Sequence, residues 1–280
     1  MKYSLGIYEK AIPDELSFLE KLKIAKESGY DFLEISIDES DVRLNRLDWT
    51  KEERLSLIKD MYQVGLPIRS MCLSGHRKYP LGSKDEKIRN KSLEIAKKAI
   101  DLADDLGIRI IQLAGYDVYY DKGDVETKKL FEEGLKTVVE MASKKGIILG
   151  FETMETEFMD TVKKSMEYVK KIDSPYLGVY PDCGNLNNAA IKYKHSILDD
   201  IKSGNGKIFA MHLKETEPGK YRNMHFGEGL VNFEEIIKLA KETKINRFVT
   251  EFWHLGQEDY ESIIKSQCLF ARNLLDKVYL

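Results

Sequence analysis

Cysteine is scarce in this chain and never closely spaced. Cys72, Cys183 and Cys268 are odd in number, far apart and never in CxxC, which argues against a disulfide framework or a thiolate zinc site. A reducing, cytoplasmic setting is the expectation. Long apolar runs are also missing, and the opening MKYSLGIYEKAIPDEL has no apolar stretch followed by small residues, so neither a membrane span nor a signal peptide is expected. Positive charge is not in excess: 44 Lys and Arg face 47 Asp and Glu, the basic residues are scattered, and there are five histidines. A nucleic-acid partner is therefore not expected, although a local pocket can still be basic and take a small anion. Linker-like Gly/Ser/Pro tracts are absent too. What the 280 residues do contain is 42% hydrophobic and 32% charged side chains, enough apolar mass for a full core.

That mass is periodically arranged. Short β-rich apolar runs, YSLGIY (from Tyr3), DFLEISI (Asp31), PIRSMCL (Pro67), IRIIQLA (Ile108), IILGFE (Ile147), YLGVYPD (Tyr176), KIFAMHLK (Lys207) and RFVTEFW (Arg247), predict eight strands. Between them, apolar residues three and four apart predict helices, with Phe131, Leu135, Val138 and Ala142 on one face and Leu93, Ala96, Ile100 and Ala103 on another. Thr50 with Glu53, Ser83 with Glu86 and Asn232 with Glu235 have the spacing of helix-capping pairs. Gly29, Gly65, Gly107 and Gly146 each sit between a helical segment and a strand, where a helix C-terminal glycine belongs. Repeated βα units without a linker predict an α/β fold, a (β/α)8 TIM barrel, as one domain over residues 1–280. A doubly wound sheet split over two domains is the alternative.

A TIM barrel builds its active site at the C-terminal ends of its strands, so the polar residues that end apolar runs are the candidates. Four consecutive strands supply Glu152, Asp182, His212 and Glu251. Each alone has an ordinary structural explanation. Together they are harder to dismiss, because Glu251 lies inside RFVTEFW, where an unpaired carboxylate would cost several kcal/mol to bury. A shared divalent cation would offset that cost. Three carboxylates and an imidazole suit Zn²⁺ or Mn²⁺ first, with Co²⁺ or Mg²⁺ as alternatives.

The sequence also resembles the L-ribulose-5-phosphate 3-epimerases, or L-xylulose-5-phosphate 3-epimerases, of L-ascorbate degradation, formerly labelled hexulose-6-phosphate isomerases. LGIYEKA, RLDWT, SMCLSGHRKYPLGS, IQLAGYDVYY, VEMAS, VYPDCGNL, HLKET and FGEG carry the resemblance over nearly the whole chain. More broadly it is similar to the xylose-isomerase-like barrels and ketose 3-epimerases. The resemblance implies a metal held by Glu152, Asp182, His212 and Glu251, a ketopentose phosphate substrate and a homodimer. The chain departs from the family pattern at His225, where proline is expected, and in a longer loop after Asn187.

The implied reaction removes the hydrogen from C3 of a ketose and returns a proton to the opposite face through an enediolate over C2 and C3. Glu152 and Glu251 are assigned as the two bases because they come from non-adjacent strands, with Asp182 and His212 as anchors. For the substrate, the loops after strands three and seven offer His76, Arg77 and Lys78, then Lys214, Arg222, Gly227 and Gly229. Arg222 is the first choice for the phosphate, a position where the resemblance also implies an arginine near the substrate. His76 is expected to meet a sugar hydroxyl. Tyr119 and Tyr120 are either a cover for the substrate or a packing patch, Cys183 reads as packing, and Glu155 and Glu157 as solvated loop residues. Three other readings remain: an aldose–ketose isomerase acting on a sugar phosphate such as a hexulose 6-phosphate, a zinc-dependent DNA repair endonuclease, and a non-catalytic sugar-phosphate sensor.

Overall fold

Runs too short for helices, and buried on both faces, become parallel strands that need a helix on the outside of each crossover. The computed structural model describes residues 2–280. Its strands are β1 (Ser4–Tyr8), β2 (Phe32–Ile37), β3 (Ile68–Leu73), β4 (Ile110–Ala114), β5 (Ile148–Glu152), β6 (Leu177–Val179), β7 (Met211–Leu213) and β8 (Arg247–Thr250). The helices are α1 (Phe18–Glu27), α2 (Asp41–Leu44), α3 (Lys51–Val64), α4 (Glu86–Leu106), α5 (Val125–Lys144), α6 (Val162–Ile172), α7 (Cys183–Tyr193), α8 (Ile197–Lys202), α9 (Phe233–Glu242) and α10 (Tyr260–Tyr279). Among the described residues no helix is long and apolar enough to cross a membrane.

All strand pairs are parallel, in the order β6-β5-β4-β3-β2-β1-β8-β7. The two ends meet: Val179 N–H donates to the Lys207 carbonyl (2.8 Å), Phe209 N–H to Val179 (3.0 Å) and His212 N–H to Pro181 (2.9 Å). The sheet thus closes into the expected barrel. Strand six is shorter than its apolar run suggests. Pro181 has no N–H to extend a ladder, so β6 stops at Val179 and Asp182 instead caps α7, accepting from Asn185 N–H at 2.7 Å. A second correction concerns α4, which starts two residues later than the Ser83/Glu86 pair implies. Asp85 is its cap, and the Ser83 hydroxyl accepts from Asp85 N–H. Thr50 and Glu53 do form the reciprocal pair, and the four glycines have positive φ.

Alternation divides each strand between two layers. Leu33, Ile35, Ile37, Met71, Leu73, Ile111, Leu113, Leu149, Phe151, Met211 and Phe248 pack outward against the helices. Phe32, Cys72, Ile110, Tyr180, Ala210 and Val249 fill the lumen. Small residues make room for large ones there: a Cβ at Gly6 would run into the Phe32 ring, and one at Gly178 into Phe209. Above this apolar floor, the same parity turns the polar residues Glu34, Gln112, Glu152, His212 and Glu251 inward.

Candidate active site

Four elements bring the acidic and imidazole groups together. Glu152 is the last residue of β5, Asp182 caps α7, His212 is the centre of β7 and Glu251 directly follows β8. One donor atom from each lies within 4.8 Å of all the others, and all four residues are buried. His212 Nδ1 is 2.9 Å from Glu251 Oε2 and 3.9 Å from Asp182 Oδ2. Lys214 brings its ammonium to 3.1 Å from Asp182 Oδ2 and 3.5 Å from Glu251 Oε2.

Burial sets the electrostatics, and charge neighbours then separate the carboxyls. Burial raises the Glu152 carboxyl to about 7, and the nearby Glu251 charge adds to the effect. For Glu251 burial also disfavours ionisation, but Lys214 and His212 outweigh it and hold its carboxyl well below the usual range. Asp182 is pushed up by burial even though Lys214 pulls the other way. Its Oδ2 is buried without a hydrogen-bond partner of good geometry. An unsatisfied carboxylate oxygen, three clustered carboxylates and an imidazole form a donor set into which one divalent metal ion fits.

The site opens into a cleft of about 500 Å³, mouth included, lined among others by Tyr8, Ser74, Tyr116, Asn185, Tyr221 and Trp253. Lys10, Arg77 and Arg222 bring positive charge to it. Arg222 lies 5.7 Å from the centre of the Trp253 ring and 3.6 Å from Glu155. A larger groove of about 1700 Å³, mouth included, between α5 and α6 is lined mainly by surface Lys and Glu, away from this chemistry.

The structure redistributes the remaining sequence candidates. Lys214 lies in the cluster itself and Arg222 lines the cleft, while His76, Gly227 and Gly229 do not line it. The His76 ring is buried against α4, with Nε2 3.1 Å from the Ser92 carbonyl, and is not among the residues that line the cleft. The glycine loop wraps around the buried Glu215 carboxylate. Gly227 N–H donates to Glu215 at 2.9 Å, and a Cβ at Gly229 would collide with that same side chain. Glu155 is not simply solvated: it accepts from Tyr119 OH at 3.1 Å and lines the cleft. Glu157 is exposed and paired with Lys192. Tyr120 is largely exposed and bonds Glu39, and Cys183 is a packing residue, its thiol raised by burial. The reading of strand ends passed over Glu34, whose carboxylate is 2.6 Å from His212 Nε2. The signal for it was a charged residue in the middle of the apolar run DFLEISI.

His76 carries a pH prediction. Burial lowers its pKa from 6.5 to about 4, so as the pH falls the unfolded chain takes up this proton first. Its contribution is fully present above pH 6.5 and is lost as the pH falls to about 4, a change on the order of 3 kcal/mol. Urea denaturation at pH 7.5 and 4.5 is expected to show a larger acid loss for wild type than for His76→Gln. Equal losses would contradict this account.

Residues 22–274 match the xylose isomerase-like TIM barrel family. The chain is 44% identical over 256 residues to L-ribulose-5-phosphate 3-epimerase UlaE of Escherichia coli (strain SMS-3-5 / SECEC), covering 91% of this chain and 89% of that protein. With the protein of the same name from Shigella flexneri it shares 42% identity over 274 residues, 98% and 95% of the two chains. Among solved structures, an L-ribulose 3-epimerase superposes with a TM-score of 0.80 at 19% identity, covering 99% of this chain and 96% of that one, a likeness of fold.

Proposed function

The chain belongs to the xylose isomerase-like TIM barrel family and, within it, to the L-ribulose-5-phosphate 3-epimerases, and from that premise we propose how it handles its substrate. It is an isomerase, an epimerase that acts on a sugar phosphate. The finer reading is the interconversion of L-xylulose 5-phosphate and L-ribulose 5-phosphate at C3, as a step of L-ascorbate degradation. The observation that carries it is the buried convergence of Glu152, Asp182, His212 and Glu251 within 4.8 Å at the C-terminal end of the barrel.

The hydrogen on C3 of a ketose is weakly acidic, and the problem is to place the charge left by its removal. A divalent cation, Zn²⁺ or Mn²⁺ before Co²⁺ or Mg²⁺, held by those four residues would act as a Lewis acid on the substrate oxygens. Glu152 and Glu251 come from strands separated by β6 and β7, which suits them to opposite faces of the carbon. One carboxylate takes the proton from C3, and the C–H electron pair moves into an enediolate across C2 and C3. The other carboxyl delivers a proton to the opposite face, inverting the centre. Lys214 holds charge beside Asp182 and Glu251, and the buried surroundings exclude water. Incubation with L-xylulose 5-phosphate in D₂O, with and without chelator, tests this. Deuterium at C3 that chelation suppresses supports the reading. Label at C1 or C2 would make the enzyme an aldose–ketose isomerase.

Arg222, with Lys10 and Arg77 at the cleft, supplies the charge for the phosphate. Arg222→Ala is expected to raise KM for the phosphorylated ketose by roughly tenfold or more, the size of one lost charge-assisted bond, and far less for the unphosphorylated sugar. An equal rise for both would place the phosphate elsewhere. The same reading takes residues 1–280 as one domain and the enzyme as a cytoplasmic homodimer.

A further inference from the structure

Glu34 sits in the middle of β2, in register with Tyr8 of β1 and Ser70 of β3, and its parity turns it into the lumen. It is fully buried, and among the described residues its only ion-pair partner is His212. A carboxylate in that position needs donors, and three converge on it. Ser70 Oγ (2.6 Å) and Tyr180 OH (2.7 Å) donate to Oε2, and His212 Nε2 stands 2.6 Å from Oε1. An ionised carboxylate only accepts, so this contact puts a proton on His212 Nε2, and the 2.9 Å contact with Glu251 puts a second on Nδ1, which a cation bound there would displace while the first stays with Glu34. Nδ1, on the other side of the imidazole, is then the nitrogen that faces Asp182 and Glu251. Gln112 cannot make that choice, because its side-chain nitrogen lies 3.3 and 3.4 Å from the two ring nitrogens.

We infer that Glu34 is a positioning residue: it holds His212 with its hydrogen on Nε2, so that the Nδ1 lone pair is aimed among Glu152, Asp182 and Glu251 to receive a divalent cation. This rests on the proposal that those four residues hold such an ion. Glu34 does not line the cleft. Its carboxylate acts through the ring in two ways: it fixes the orientation and tautomer, and its negative charge makes the imidazole a stronger donor. The pairing also explains how a fully buried carboxylate is accommodated without a salt bridge to any lysine or arginine among the described residues.

The test is zinc binding by calorimetry, with Zn²⁺ alone as the titrant, on wild type and Glu34→Gln. Glutamine keeps the volume and can still accept from Ser70, Tyr180 or His212, but it lacks the charge. Zinc affinity is expected to fall by about 10- to 100-fold, while the melting temperature of the zinc-free variant stays within a few degrees of wild type. Equal zinc affinity, within twofold, overturns the role of Glu34 and leaves the four-ligand proposal standing. Failure of wild type to bind zinc overturns both. A second measurement needs no Glu34 variant. In zinc-loaded wild type with ¹⁵N-labelled histidine, the His212 signal, assigned by its loss in His212→Gln, is expected to show the proton on Nε2. A proton on Nδ1 overturns the inference even if Glu34→Gln does not fold.

Discussion

Glu152→Gln and Glu251→Gln are each expected to fold and to lose exchange of the C3 hydrogen with solvent by about 10²- to 10⁴-fold, the usual worth of a positioned acid or base. The two variants reach that loss differently. Glutamine at 152 removes a charge that burial and the neighbouring Glu251 both oppose, so the metal-free variant is expected to be at least as stable as wild type. At 251 the carboxylate is held by His212 at 2.9 Å and approached by Lys214 at 3.5 Å, and neutralising it leaves both cationic groups with less compensation. That variant is expected to melt earlier as well as to lose activity. Solvent-deuterium uptake followed by NMR, beside thermal unfolding of each metal-free protein, separates the effects. Near-normal exchange in both variants would sink the two-base proposal.

The largest stability effect is expected away from the chemistry, at Glu9. Its carboxylate is fully buried and accepts from both terminal nitrogens of Arg46 at 2.7 Å, from Lys21 at 3.1 Å and from Ser36 N–H at 2.9 Å. Burial alone would raise its pKa, but Arg46 and Lys21 reverse that and lower it to about 2. Glu9→Ala removes the one negative charge between two buried cations and is expected to cost about 3–5 kcal/mol, read from urea denaturation. A loss under about 1 kcal/mol would show that water or rearrangement satisfies Arg46 and Lys21. The sign of the pH dependence follows from the lowered pKa. The contribution of Glu9 is fully present above pH 4.5 and fades as the pH falls towards 2. Tyr8 and Lys10, on either side of Glu9, both line the cleft, so the same network also anchors one wall of the site.

Much of this was legible in the linear order of residues. All eight apolar runs became strands, Thr50 and Glu53 form their reciprocal cap, and the three-and-four spacing gives the buried face of α5 and, Leu93 being only partly buried, three of the four residues named for α4. These features depend on neighbours within a turn of helix or a few residues of strand. The substrate loops were less legible. Gly227 and Gly229 have the composition of an anion loop, yet Glu215 occupies their backbone, and nothing local distinguishes a loop that wraps a protein carboxylate from one that wraps a phosphate. His76 lies beside Arg77, which lines the cleft, but its own ring turns the other way to reach Ser92 on α4.

By itself the sequence determined the βα repeat, the helix boundaries to within a few residues and the four polar groups at consecutive strand ends, because local hydrogen bonding and side-chain periodicity encode them. Tertiary structure alone decided their partners. His212 meets Glu34 across a separation of 178 positions, and Tyr180 meets the same carboxylate across 146. Those contacts exist only once the barrel closes and inward-facing residues of distant strands share one lumen, a geometric condition that no single strand carries.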